Sequence, residues 1–297
     1  MVHYSPTKAE VLEAATSAIS IFAIHGLSCY LVGGVACALY GNSRTPERLT
    51  QVQDVDLVVN TLSYSQEALK RLLEDHPGSK FFTVAARTPG ATYRVLRYTL
   101  SGSYSTYPSC KVDVLQPGIM NIPSVASARV LRINGFPVMP LIPLMLLKLQ
   151  AWEDHRRATQ AYQIQKQYTD AHDLARLLPI AVRRGDSMAT ASGMPEAFVR
   201  EAQRRITTYL VHYPEQEKHW KAVGLEAKPG PAVKATPRTS SVARPQSGTA
   251  GAGPRRTAPE RSAIRPLGTW LAGMRGSTMD ATPTTTSLAS DFDNLRL

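Results

Sequence analysis

Apolar positions near the start of the chain recur with helical spacing. Val11, Leu12, Ala15, Ala18, Ile19 and Phe22 fall on one stripe, which predicts a helix over residues 7–24. Thr7 and Glu10 stand three apart ahead of the stripe, the spacing of a capping box, and Gly26 supplies the stop. The pattern then shortens. SCYLVGG (28–34) reads as a short buried strand ending at a glycine pair, VACALYG (35–41) as a short helix and DVDLVV (54–59) as a second strand. Ser63 and Gln66 are placed to cap a third helix that ends near His76, before Pro77. FFTVAA (81–86), YRVLRYTL (93–100) and CKVDVL (110–115) are rich in β-branched and aromatic residues and predict three more strands, with ARVLRI (128–133) as another short one.

From Leu141 onward the period becomes helical. Residues 143–158 and 165–179 predict two packed helices, and residues 195–213 a third. The chain is therefore expected to be α+β: a mixed β-sheet flanked by helices, followed by a helical half. The composition shifts again near Gly224. Beyond it the chain is dominated by Pro, Gly, Ser, Thr, Ala and Arg, and such a segment buries too little apolar surface to offset the entropy of ordering it. The expected division is a core over 1–140, a helical subdomain over 141–224 and a disordered basic tail over 225–297. Two islands in the tail, residues 270–274 and the acidic-apolar end DFDNLRL, have the character of short docking motifs or of plain disorder.

Hydrophobic residues make up 43% of the 297, enough for a real core. The formal net charge of +11 favours anionic partners such as nucleotides, nucleic acid or acidic surfaces, without choosing among them. Cys29, Cys37 and Cys110 are few, odd in number and set among apolar residues, which predicts reduced, buried thiols and an intracellular protein, cytoplasmic or nuclear. The first residues lack the pattern of a secretory signal, and the longest apolar runs fall well short of about 20 residues, so no membrane partner is expected.

Three features carry candidate chemistry. Gly33-Gly34, between a strand and a helix, allows a sharp turn and a close backbone approach to a ligand; a tight turn alone also explains it. Asp54 and Asp56 are i and i+2 on a strand, so they share a face while Val55 turns to the core. Carboxylates so close repel unless a cation lies between them, which makes the pair a candidate cradle for Mg²⁺, although a solvated strand end also accommodates two acids. Asp113 lies between Val112 and Val114 on a later strand, where a carboxylate is costly unless paired, metal-bound or on an exposed face. No nucleophile elbow, zincin motif or P-loop competes, and His25, His76, His155 and His172 are scattered without metal spacing.

In that order, LVGG, DVDLVV and KVDVL resemble the signature of the nucleotidyltransferase superfamily, the polymerase-β-like fold. The arrangement looks most similar to the AbiEii-type minimal nucleotidyltransferases, over about residues 27–178. The resemblance also gives roles to the helical half: Lys148 in LMLLKLQA, and Asp170 and Asp173 in TDAHDL, match the family's apolar-helix lysine and its K-D-x-x-D-L motif. Thr169 stands where that motif has its lysine, with Lys166 one turn earlier. The stretch between Gly34 and Asp54 is longer than usual; it carries Arg44 and Arg48, each in reach of a substrate phosphate on this reading.

The resemblance implies transfer of a nucleoside monophosphate from an NTP to an acceptor, whether a protein, an RNA end or a small molecule. It implies two Mg²⁺ (or Mn²⁺) ions held by Asp54, Asp56 and Asp113, with Asp113 serving the acceptor hydroxyl. Gly33, Gly34, Arg44, Arg48, Lys148, Asp170 and Asp173 form the implied nucleotide site. Two other readings stay open: a catalytically idle nucleotide- or RNA-binding scaffold acting through its tail, and a nucleic-acid binder using the tail's arginines. The tail is thus a candidate contact for nucleic acid or a protein partner. Base stacking is poorly supplied there, since Trp270 is its one aromatic before Phe292.

Overall fold

The computed structural model describes residues 4–42, 53–87, 90–100, 108–191 and 193–227. Arg44, Arg48 and the expected disordered tail from residue 228 onward lie outside the described residues, while Leu225, expected at the start of that tail, is buried in the core because its side chain packs with the helical half.

Helix α1 (Lys8–Ile24) begins as anticipated. Thr7 accepts from the Glu10 backbone N–H and Glu10 reaches back to Thr7, closing the capping box, while Val11, Ala14, Ala15, Ala18, Ile21 and Phe22 are buried. Strand β1 (Cys29–Val32) is buried throughout and leads into α2 (Gly33–Leu39). Strand β2 (Asp54–Val59) follows, then α3 (Gln66–Glu74), whose cap differs from the expected one. Ser65 accepts from the Ala68 N–H, whereas the Ser63 N–H donates to Thr61 Oγ1 and Gln66 donates to the Val114 carbonyl. A serine one residue before the first helical turn is the better acceptor, and Gln66 is worth more as a tie to the sheet.

Strands β3 (Phe81–Ala85), β4 (Arg94–Thr99) and β5 (Ser109–Leu115) form an antiparallel run, and β6 (Leu131–Ile133) and β7 (Phe136–Val138) form a hairpin. The hairpin turns at Asn134-Gly135, both at positive φ, as a type I′ turn requires. β7 is absent from the hydrophobic pattern because it is three residues long and centred on Pro137. Its place is set by β1, through a parallel pairing of Leu31 with Val138.

Among the described residues, seven strands lie in the order β3-β4-β5-β2-β1-β7-β6. The sheet is mixed: β2 runs antiparallel to β1 and parallel to β5. β2 and β5 sit at its centre, with Val55 and Val112 buried between the sheet and α1. Tyr98, paired with Cys110, reaches Glu13 of α1 with its hydroxyl at 3.0 Å, which fixes that face as the α1 side.

The helical half comprises α4 (Leu141–Arg156), α5 (Ala161–Arg184), α6 (Glu196–His212) and the short α7 (Glu217–Ala222), which periodicity did not announce. α5 runs past Pro179, where the sequence reading ended it, because Leu177, Leu178 and Ala181 are buried on one continuous face. It stops one turn later at Gly185, φ 73°, where the Asp186 N–H closes on the Ala181 carbonyl. One cluster of buried apolar residues joins α1, the sheet and the helices, reaching Leu225. Among the described residues, no helix is long and apolar enough to cross a membrane. The three cysteines are buried thiols outside any disulfide, as expected, and burial pushes the thiols of Cys29 and Cys110 up to about 12.

Candidate active site

The parallel pairing of β2 with β5 sets the site's frame. Asp54 lies opposite Lys111 and Asp56 opposite Asp113, so four charged residues occupy two adjacent rungs of one sheet face. The opposite face takes Val55 and Val112 into the core. Carboxylate oxygens of Asp54, Asp56 and Asp113 all lie within 4.8 Å of one another. Two strands distant in sequence thus complete a triad that one strand only begins.

Asp56 occupies the tightest place. Gly33, at φ +61°, passes so close that a Cβ on it would lie 1.8 Å from Asp56 Oδ2 and 2.6 Å from its Cγ. The glycine pair was expected to make room for a ligand; its first member makes room for a site carboxylate. Loss of solvation, with the charges of Asp54 and Asp113 adding to it, pushes the Asp56 carboxyl up to about 7. Three acids gathered in this way, one of them resisting ionisation, fit a hard divalent cation, and the absent Gly33 side chain leaves the place that the Asp56 carboxylate occupies.

The direction of the Asp56 shift has a measurable consequence. In the metal-free protein the folded state keeps a proton on this carboxyl between about pH 4 and about pH 7, where the unfolded chain has lost it. Its contribution to stability is therefore present in acid and lost as pH rises through about 7. A divalent cation bound at the triad would remove that penalty above pH 7 but would have to displace the proton below it. The rise in Tm produced by Mg²⁺ is expected to be clearly larger at pH 8 than at pH 5.5, as read by thermal unfolding at both values.

Lys111 was not singled out in the sequence. Its ammonium pairs with Asp113, with side-chain exposures of 40% and 30%. Burial acts to lower the Lys111 pKa, but the charges of Asp113, Asp54 and Asp56 outweigh it and the net shift is upward. Strand alternation carries the signal for this residue, since 111 and 113 differ by two as 54 and 56 do.

A second polar group stands where α4 and α5 pack. Lys148 contacts Asp170 Oδ1 at 3.2 Å and Asp173 Oδ2 at 3.0 Å. His155, two turns beyond Lys148 on α4, holds the other oxygen of Asp170 at 2.6 Å. Asn42, just past α2, donates to the other oxygen of Asp173 at 2.9 Å. Asp173 is fully buried. The chain Asn42–Asp173–Lys148–Asp170–His155 ties the end of α2 to both long helices. The seven-residue step from Lys148 makes His155 legible in hindsight as the same helix face. Nothing local marks Asn42.

The two groups share one cleft of about 610 Å³, lined by Gly33, Gly34, Asp54, Asp56, Lys111, Asp113, Lys148, His155, Lys166 and Asp170. The expected residues Gly33, Gly34, Asp54, Asp56, Asp113, Lys148 and Asp170 are thus brought together, and Asp173 supports Lys148 from the interior. Lys166 and Thr169 both line the cleft, one helical turn apart. A larger, open groove of about 1140 Å³ between the loop after β2 and α6 holds none of these residues.

No protein-family profile and no curated protein matches this chain. Among solved structures, an antigenic nucleotidyltransferase-like protein from Paracoccidioides brasiliensis superposes with a TM-score of 0.51 at 18% identity, covering 74% of this chain and 94% of that one. That likeness establishes the fold as nucleotidyltransferase-like. Two structures of the antibiotic-resistance factor ANT(2'')-Ia, one in complex with adenylyl-2''-tobramycin, give TM-scores of 0.36 and 0.34 at 10% and 11% identity. They cover 72% and 70% of this chain and 99% of their own length, and at those scores they add no weight.

Proposed function

We propose that the protein is a nucleotidyltransferase that moves a nucleoside monophosphate from an NTP to an acceptor hydroxyl and releases pyrophosphate. The observation that carries this reading is the meeting of the Asp54, Asp56 and Asp113 carboxylates within 4.8 Å, against a glycine whose missing side chain leaves room for one of them. The AbiEii-type arrangement of these residues supports the same reading.

In this mechanism Asp54, Asp56 and Asp113 would hold Mg²⁺ or Mn²⁺. When bound, the cation supplies charge neutralisation for the phosphate oxygens and makes the acceptor hydroxyl more acidic. Asp113 accepts that hydroxyl's proton. Gly33 and Gly34 line the cleft with backbone and admit the phosphates closely. Lys148 adds positive charge on the far wall, and Asp170 and Asp173 fix where its ammonium stands. Arg44 and Arg48, from the long connection ahead of β2, contribute further phosphate contacts. Catalysis on this plan is positioning and charge stabilisation more than covalent chemistry. The basic tail is the proposed contact for an RNA or protein acceptor.

Thermal unfolding with ATP, GTP, CTP or UTP, with and without Mg²⁺, tests this without knowledge of the acceptor. One NTP is expected to raise Tm only when Mg²⁺ is present; at about 100 times Kd the gain is roughly 2.7 kcal/mol. Asp54→Asn combined with Asp56→Asn is expected to remove the Mg²⁺-dependent part of the shift and NTP consumption with it. If no NTP at millimolar concentration moves Tm, the enzyme reading fails and an idle fold acting as a scaffold takes its place.

A further inference from the structure

We infer that Lys111 is an internal counter-ion that competes with the divalent cation for Asp113 and so sets the cation affinity of the carboxylate triad. The inference rests on the metal-binding reading of that triad. Lys111 and Asp113 are i and i+2 on β5, and the register places Lys111 opposite Asp54 and Asp113 opposite Asp56. The ammonium therefore lies on the same sheet face as all three acids and pairs with Asp113. With all three acids ionised, it reduces the formal charge of the cluster from −3 to −2.

Two other cleft lysines, Lys70 and Lys148, are engaged elsewhere. Lys70 bonds Glu67 and the Arg94 carbonyl, both at 2.6 Å, and Lys148 contacts Asp170 and Asp173. The Lys111 side chain is 40% exposed, so moving it off Asp113 does not require the core to open. A divalent ion that takes an oxygen of Asp113 must displace the ammonium or bear its repulsion at close range. A unit and a double charge a few ångströms apart repel even at an effective dielectric of about 20, and solvent at the half-exposed Lys111 screens part of that repulsion.

The test is Mn²⁺ binding by the full chain without nucleotide, read as loss of the free-ion signal in electron paramagnetic resonance. This readout is independent of turnover. Lys111→Met is expected to bind Mn²⁺ at least about tenfold more tightly than wild type, because it removes the competing charge and keeps the length of the side chain. Lys111→Gln is expected to behave like Lys111→Met, and Lys111→Arg to stay within about threefold of wild type. In an Asp113→Asn background the gain from Lys111→Met is expected to shrink to less than about threefold, since the contested oxygen has lost its charge. Thermal unfolding in chelator confirms that each variant is folded. If wild type binds Mn²⁺ and neither Lys111→Met nor Lys111→Gln binds it more tightly, the counter-ion role is wrong and the metal reading survives. If neither wild type nor any Lys111 variant binds Mn²⁺ at millimolar concentration, the metal reading falls and takes this inference with it.

Discussion

Gly33→Ala is expected to abolish cation-dependent NTP binding and to lower turnover by at least about a hundredfold, the scale of loss from displacing a catalytic group by an ångström. Two effects combine. The first is conformational: Gly33 has φ +61°, a region that costs an L-residue roughly 1–2 kcal/mol. The second is steric: the new Cβ would fall 1.8 Å from Asp56 Oδ2, 2.6 Å from Cγ and 3.0 Å from Cβ, so rotating the carboxylate away does not relieve the whole contact. Asp56 must leave its place opposite Asp113, or the turn after β1 must shift. Gly26→Ala separates the two effects. Gly26 has a similar φ of +68°, yet a Cβ there meets nothing within 4 Å. Both variants are expected to lose a few degrees of Tm from backbone strain, at roughly 2–4 °C per kcal/mol. Only Gly33→Ala should lose the Mg²⁺-dependent shift. Equal Mg²⁺ responses in the two would mean that Asp56 does not need the space this glycine provides.

The largest loss of stability is expected from Asp173→Ala. Asp173 is fully buried and accepts from both Lys148 and Asn42. Lys148 itself is only 12% exposed. Removing one partner of a buried pair leaves the other charge desolvated, which costs about 3–5 kcal/mol. For a chain of this size that corresponds to a fall in Tm on the order of 10 °C. The remaining contact to Asp170 keeps the loss toward the lower end. Chemical denaturation should show the change in midpoint with the slope preserved. Glu196→Ala removes an exposed pair with Arg200 of similar length, 3.0 Å, and is expected to leave Tm unchanged. If Asp173→Ala were equally silent, the buried group between α4 and α5 would not be holding the helices in register. Lys148 would then have to be explained as a snorkelling side chain.

Much of the frame was open to a reading of the chain alone, because local rules fix it. The capping box at Thr7 and Glu10, the strand that ends at Gly33, and the shared face of Asp54 and Asp56 depend only on neighbours in sequence. Asp113 needed its place in an ordered set of motifs, since by itself it is one acid on a half-exposed strand. Where residues within a few positions of one another compete, the local reading erred by small steps: Ser65 caps α3 rather than Ser63, and α5 outruns Pro179. The hairpin of β6 and β7 was half visible, as the short strand expected over 128–133.

What lay beyond the sequence is what long-range packing decides. The parallel register of β2 with β5 sets Asp113 beside Asp56 and Lys111 beside Asp54, and nothing within either strand dictates that alignment. The role of Gly33 is also tertiary: its positive φ suits any sharp turn, while the space it leaves matters only because Asp56 arrives from another strand. His155 and Asn42 look ordinary in the chain and become partners of Asp170 and Asp173 only when α4, α5 and the end of α2 meet. The sequence by itself determined which residues share a strand face or a helix stripe, because backbone periodicity reaches only a few residues. The tertiary structure alone decided which faces oppose one another, and with them the triad's closeness, the pairing of Lys111 and the buried anchor of Lys148.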